Sequence, residues 1–204
     1  MTKSGVHQIR LALIGPSGAG KSTTARLLQT ALQARGLSCS VHKLAKPLYD
    51  IKQMYYQAAG QAVAYDAQDH PLMEQIARGL RDLSPTSLVD NLTLRLADCT
   101  DDVILNDDLR DDAVDCPALR RQGFRLIRIF APEGVLRDRL ICRADLRLIE
   151  HSPLDAQVRR MRADYVLSNT ADLAKLQTQI DGLLDRLTAG VRERGACTST
   201  LQLV

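Results

Sequence analysis

The sequence predicts a three-layer α/β fold, a five-stranded parallel sheet with helices on both faces. Three observations carry the prediction. Short apolar runs alternate along the chain with stretches of helical periodicity, and parallel strands need long crossovers of that kind. The first apolar run feeds a glycine-rich turn that opens straight into a helix. A later run, Val103-Ile104-Leu105-Asn106, ends in two carboxylates, Asp107 and Asp108.

Taken in order, Ile9 to Ile14 is apolar with one basic interruption, which suits a buried strand. Lys21 to Ala34 places Ala25, Leu28, Ala31 and Leu32 at helical spacing, and Gly36 stops it. A second strand is expected over Ser38 to Leu44, then a helix opened by Pro47 and running toward Gly60. Gln61 to His70 reads as a polar excursion. Pro71 to Leu83 aligns Leu72, Ile76, Leu80 and Leu83 on one stripe. Ser84-Pro85 predicts an N-cap followed by proline in the first turn of a helix through Leu88, Leu92 and Leu96. Val103 to Asn106, Phe124 to Phe130 and Tyr165 to Leu167 supply the remaining strands. A final helix is expected from about Ala171 to Leu187, followed after Gly190 by a tail without strong periodicity.

With 204 residues the chain can bury one sizeable core. Aromatic residues make up only 3%, which argues against a stacking platform for single-stranded nucleic acid. The net charge of +3 comes from scattered arginines and gives no basic footprint for DNA, so no nucleic-acid partner is expected. Cys39, Cys99, Cys116, Cys142 and Cys197 form no CxxC pair, and His7, His42, His70 and His151 show no ligand spacing. Reduced thiols, the lack of a signal-like start and the lack of a long apolar run predict a soluble cytoplasmic protein with no membrane partner.

Gly15-Pro16-Ser17-Gly18-Ala19-Gly20-Lys21-Ser22 is the complete P-loop pattern. Small residues at Gly15, Gly18, Ala19 and Gly20 let successive backbone N–H groups converge on a phosphate, with Ser17 in the same turn. The helix that follows adds the positive end of its dipole. Lys21 is expected at the β- and γ-phosphates of ATP, the Ser22 hydroxyl on Mg²⁺, and Thr23 as a cap or at the α-phosphate. The two acids at the end of Val103–Asn106 should face those phosphates, because ligands bind at the carboxyl end of parallel strands. One of them, Asp107, is assigned to Mg²⁺ and the acceptor, and Asp108 to catalysis; a solvated turn is the plainer alternative. At least one of Asp111 and Asp112 is expected in solvent.

Leu136, Leu140, Ala144 and Leu148 recur every four residues beside a parallel stripe of Arg139, Arg143 and Arg147. That stripe suggests a lid closing over the transferring phosphoryl group, with Arg143 the preferred catalytic contact and Arg139 on the nucleotide; a solvated basic face, or salt bridges to Asp138, Asp145 and Glu150, is the alternative for each arginine. Arg78 and Arg81 are candidates to clamp an acceptor phosphate. Lys43, Lys46 and Lys52 lie in the same region, and the plainer reading of each is an exposed helix charge.

Together, the run from Gly15 to Thr23, the segment Lys43-Leu44-Ala45-Lys46-Pro47-Leu48-Tyr49, Asp108-Leu109-Arg110, and Ala163-Asp164-Tyr165-Val166-Leu167-Ser168-Asn169 resemble phage-type deoxynucleoside monophosphate kinases, with similarity to dephospho-CoA kinases in the last third. The resemblance implies a P-loop kinase that moves the ATP γ-phosphoryl group to a nucleoside monophosphate. It implies roles for Asp108 and Arg110 at acceptor or metal, for Arg78 or Arg81 at the acceptor phosphate, for Arg143 in the lid and for Asn169 near the adenine; Lys46 and Tyr49 are further candidates for acceptor binding. The family's usual Ala-Asp-Pro-Leu reads Ala45-Lys46-Pro47-Leu48 here, and Asp111-Asp112-Ala113 directly follows Arg110; both departures fall on the acceptor side. The domain expectation is a single unit over 1–190, with a mobile acceptor-binding insert at about 45–98, a mobile lid at about 133–153 and a flexible tail at 191–204, in a chain that could form a homodimer. A kinase acting on a hydroxyl would instead need Asp107 or Asp108 as general base. A partner-stimulated ATPase is a third reading.

Overall fold

The computed structural model describes residues 8–142, 153–170 and 172–197. Five strands, β1 (Ile9–Ile14), β2 (Cys39–Val41), β3 (Val103–Asn106), β4 (Phe124–Phe130) and β5 (Tyr165–Ser168), form one sheet in the order β2-β3-β1-β4-β5. Every pairing is parallel. The helices are α1 (Lys21–Gln33), α2 (Lys46–Ala58), α3 (His70–Leu83), α4 (Ser87–Leu96), α5 (Asp115–Arg121), α6 (Glu133–Cys142), α7 (Pro153–Arg160) and α8 (Leu173–Cys197).

Alternation along β1 explains the layering. Leu11 and Leu13 pack with Leu28 and Leu32 of α1 and with Leu176 and Ile180 of α8, while Ala12 and Ile14 pack into a second core with Leu92 of α4 and Leu119 of α5. A strand buried on both faces must be apolar at every position, and β1 nearly is. Each fully buried leucine contributes about 2 kcal/mol, so the two cores rather than helix propensity hold the layers.

The strand order puts the functional end in one place. From β1 the chain crosses by α1 to the edge strand β2 and returns to β3 beside β1, so β1 and β3 flank a switch in direction. Ala12 pairs with Asn106, which brings the turn after β1 level with Asp107 and Asp108 after β3.

Several boundaries differ from expectation for physical reasons. β2 is shorter than Ser38–Leu44 because His42 C=O accepts from the Asn106 side chain and the Leu44 and Ala45 N–H groups bind Asp108, which pulls the chain off the ladder. Ser84 does not cap α4. It ends α3 and makes a turn to Ser87, while Pro85 C=O accepts from Arg81, so α4 starts after Thr86. α5 was not anticipated; Asp111 accepts from the N–H groups of Ala113, Val114 and Asp115 and so shapes its start. Asp112 pairs with Arg160, so both acids of the Asp-Asp pair are engaged and half-buried, against the expectation of solvent. The last helix runs on to Cys197, beyond the expected Leu187. Among the described residues no helix is long and apolar enough to cross a membrane.

Candidate active site

The turn between β1 and α1 is a cradle of backbone amides. Gly18 and Gly20 adopt φ of +79° and +92°, and a β-carbon on Gly20 would stand 2.2 Å from Asn169 Nδ2. Only glycine combines that backbone with that approach. Asn169 and Arg139 fix the outer side of the turn. Asn169 Nδ2 donates to Ala19 C=O at 2.8 Å, Arg139 Nη1 donates to Gly18 C=O at 3.2 Å, and Arg139 Nη2 donates to Asn169 Oδ1 at 3.1 Å. These contacts hold the turn from behind, and within it the Ala19 N–H donates to Pro16 C=O at 3.1 Å.

Two observations show that the cradle fits an anion. The Ser17 hydroxyl is buried without a hydrogen-bond partner, and the Ser17 N–H donates to a carboxylate oxygen of Asp155, on α7, at 3.3 Å. A buried unpaired hydroxyl costs about 1–3 kcal/mol, which a phosphate oxygen could recover. Lys21 Nζ lies inside the turn, donating to Gly15 C=O at 2.7 Å and Pro16 C=O at 3.1 Å. Burial, helped by the nearby Arg110 guanidinium, lowers its pKa to about 8, against the pull of Asp155, Asp107 and Asp108. Thr23 lies in the first turn of α1, half-buried.

At the end of β3 the two acids have separate duties. Asp107 Oδ2 accepts from Ser22 Oγ at 2.9 Å, and Lys43 Nζ donates to Asp107 Oδ1 at 3.0 Å. Hard oxygen ligands from a P-loop serine and a strand-end aspartate are the donor set that Mg²⁺ takes. Asp108 turns away. Its oxygens accept from Leu44 N–H at 2.8 Å and Ala45 N–H at 2.9 Å, and Asn106 Nδ2 donates to it at 2.7 Å. Burial still pushes its carboxyl above the usual range, with the Asp107 charge adding to that and the two amides opposing it. Burial would lower Lys43, but the charge of Asp107 and its hydrogen bond, with Asp108 and Tyr49, outweigh this and hold its ammonium up.

Lys43 also lines a cavity of about 490 Å³, together with Lys46, Tyr49, Tyr65, Asp66 and Gln68. The cavity therefore meets the cradle through the Lys43–Asp107 contact. The Tyr49 and Tyr65 rings lie 5.6 Å apart, centroid to centroid, and Gln68 donates to the Tyr49 hydroxyl. Lys46 pairs with Asp50 at 2.7 Å, and Tyr65 donates to the other oxygen of the same carboxylate at 2.8 Å. The polar excursion is held in place by Lys52. That ammonium is fully buried, not an exposed helix charge, and donates to the carbonyls of Ala64, Tyr65 and Ala67.

The remaining candidates are placed as follows. Arg110 is half-buried and near enough to Lys21 to act on its charge. Neither Arg78 nor Arg81 lines the cavity: Arg78 pairs with Glu74 on an exposed helix face, and Arg81 is tied at 2.6 Å to the buried Asp115. Arg143 and Arg147 lie outside the described residues. Sequence reasoning missed Asp155 altogether and gave Tyr65, Asp66 and Gln68 no role. The last three lie in the stretch from Gln61 to His70, whose only sequence signal was its lack of a regular apolar pattern.

No protein-family model matches the chain, and no curated protein matches it by sequence. Solved structures do. TT1252 from Thermus thermophilus superposes with a TM-score of 0.54 at 19% identity, over 89% of this chain and 99% of that one. This is the P-loop kinase fold. Shikimate kinase from Acinetobacter baumannii, in complex with shikimate, superposes with a TM-score of 0.50 at 14% identity, over 90% of this chain and 94% of its own. APS kinase from Mycobacterium tuberculosis, in complex with AMPPNP and APS, does so with a TM-score of 0.50 at 20% identity, over 88% and 97%. At such identities the likeness is one of architecture.

Proposed function

We propose that the protein is an ATP- and Mg²⁺-dependent phosphotransferase whose acceptor is a nucleoside or deoxynucleoside monophosphate. The observation that carries this reading is the cavity itself. It offers two tyrosine rings for a base and two ammonium groups for a phosphate, and it opens beside the aspartate that accepts from the P-loop serine. A phosphate monoester is largely dianionic at neutral pH and needs no strong base. Both acids at the strand end are already committed to donors, which suits such an acceptor.

The chain's residues then act by position and charge. The cradle amides and the Ser17 hydroxyl bind donor phosphates, displacing Asp155 from the Ser17 amide. Lys21 trades its carbonyl partners for phosphate oxygens. Ser22 and Asp107 would hold Mg²⁺, which when bound neutralises charge on the transferring group. Lys43, already touching Asp107, orients the acceptor phosphate, and Arg110 and Arg139 supply further positive charge. Asp108 is a positioning residue that fixes Leu44 and Ala45 and with them Lys43.

A hydroxyl acceptor is the second reading, favoured by Asp66, which brings a carboxylate to the cavity wall, and by the neighbours named shikimate kinase and APS kinase. Formation of ADP from Mg-ATP with a panel of nucleoside monophosphates, nucleosides and dephospho-CoA decides between them. Stimulation by a monophosphate supports the first reading, and stimulation by a hydroxyl compound alone replaces it with the second. Free thiols at Cys39, Cys99, Cys116 and Cys142 suit the reducing cytoplasm in which such an acceptor would be met.

A further inference from the structure

Away from the cradle, the fold gathers side chains that the sequence keeps far apart. His42 follows β2, while Cys99 and Asp101 lie in the connection from α4 to β3. Cys99 Sγ is 3.7 Å from His42 Nε2 and 3.5 Å from Asp101 Oδ2, and the three donor atoms all lie within 4.8 Å of one another. Ser40 Oγ stands at the same point, 2.9 Å from His42 Nε2 and 3.6 Å from Cys99 Sγ.

We propose that His42, Cys99 and Asp101 bind one transition-metal cation of the zinc class, with the Ser40 hydroxyl at the fourth corner. Tetrahedral zinc takes sulfur, nitrogen and oxygen at about 2.3, 2.0 and 2.1 Å, which spaces the donors about 3.5 Å apart. The separations from Cys99 Sγ already have that value, so closing on the ion needs little movement. The donor set also names the class of ion. A thiolate with an imidazole selects a borderline or soft cation over Mg²⁺ or Ca²⁺, which prefer oxygen alone. All three residues are half-buried, so an ion could enter from solvent while the site keeps its shape.

The ion would act as a staple. It joins the end of the edge strand β2 to the α4–β3 connection, next to Lys43. None of the ligands lines the cavity or touches the cradle, so the site is independent of the phosphotransfer reading.

Co²⁺ binding to the full-length protein tests the site, because a thiolate ligand gives a sulfur-to-cobalt charge-transfer band that an all-oxygen site such as Ser22 and Asp107 cannot. The wild type should take up one equivalent of Co²⁺ with that band, and Zn²⁺ should displace it. Cys99→Ser should abolish the band, His42→Ala should weaken Co²⁺ binding at least about tenfold, and Cys142→Ser should leave both unchanged. Zn²⁺ should also raise the unfolding midpoint of the wild type but not of Cys99→Ser, with circular dichroism confirming that each variant is folded. A band that survives Cys99→Ser, or a wild type with no stoichiometric band, overturns the proposal.

Discussion

The phosphate cradle takes its groups from one unbroken run, Gly15 to Ser22, and presents mainly backbone. The cavity beside it takes its walls from Lys43, from Lys46 and Tyr49 of α2, and from Tyr65, Asp66 and Gln68 beyond that helix. The first is shaped chiefly by local conformation, Gly18 and Gly20 at positive φ, with Asn169 and Arg139 bracing its outer side. The second is fixed at a distance, by Lys52 gathering three carbonyls and by Asp108 gathering two amides. The cradle's glycines cannot take a side chain without strain, whereas the cavity walls are side chains that can be exchanged.

The contrast can be broken by mutation. Lys21→Ala on the cradle side should lower kcat by about a thousandfold or more, the scale of removing a charge that stabilises the transferring phosphoryl group, without changing the overall fold. A residual rate within tenfold of wild type in a steady-state assay would remove Lys21 from the chemistry. On the cavity side, Lys52→Met removes the one buried ammonium that the carbonyls of Ala64, Tyr65 and Ala67 share and should cost about 1–3 kcal/mol, read by urea unfolding. It should raise the acceptor KM more than the ATP KM, because the Tyr65 segment is what it holds.

Tyr49→Ala sharpens the comparison further. Losing one face of the ring pair should raise the acceptor KM about tenfold, by the usual worth of a base stacked on an aromatic ring, and leave Mg-ATP binding unmoved. An equal rise in both constants would mean that the two regions are one site. Asp155→Asn works in the opposite direction. It removes an anion from the Ser17 amide and should tighten ATP binding a few-fold in a calorimetric titration.

The smallest effect is a proton. Lys21 titrates at about 8 in the folded chain against 10.5 in an exposed lysine, so the unfolded state binds more protons between those values. This group therefore makes the protein more stable as pH rises through that window. A polyphosphate over Lys21 favours the ammonium, so binding just above pH 8 should take up protons. Calorimetry in two buffers of different ionisation enthalpy should show uptake in the wild type and less in Lys21→Ala.

The same contrast explains what the sequence could say. β1, the cradle, α1, β3 and its acids were legible because each rests on contiguous residues whose pattern has a local cause. Lys46 and Tyr49, expected at the acceptor, lie on the cavity wall, although Lys46 stands where the family that the sequence resembles has an acid. Tyr65, Asp66 and Gln68 were not legible, because their placement depends on a buried lysine that looks like any other helix charge. Arg78 and Arg81 show the converse: their spacing suited a phosphate clamp, but one faces solvent and the other faces Asp115. His42 and Cys99 have no sequence spacing that signals a metal, and only the β2–β3 pairing brings their connections together.

The product of the reaction is the most direct test of phosphoryl transfer to a monophosphate. In a ³¹P spectrum of the protein with Mg-ATP and the stimulating nucleoside monophosphate, the account predicts that the monophosphate signal gives way to the two coupled signals of a diphosphate as ATP becomes ADP, and that Lys21→Ala shows no change. Release of inorganic phosphate from ATP with the monophosphate signal intact would contradict it.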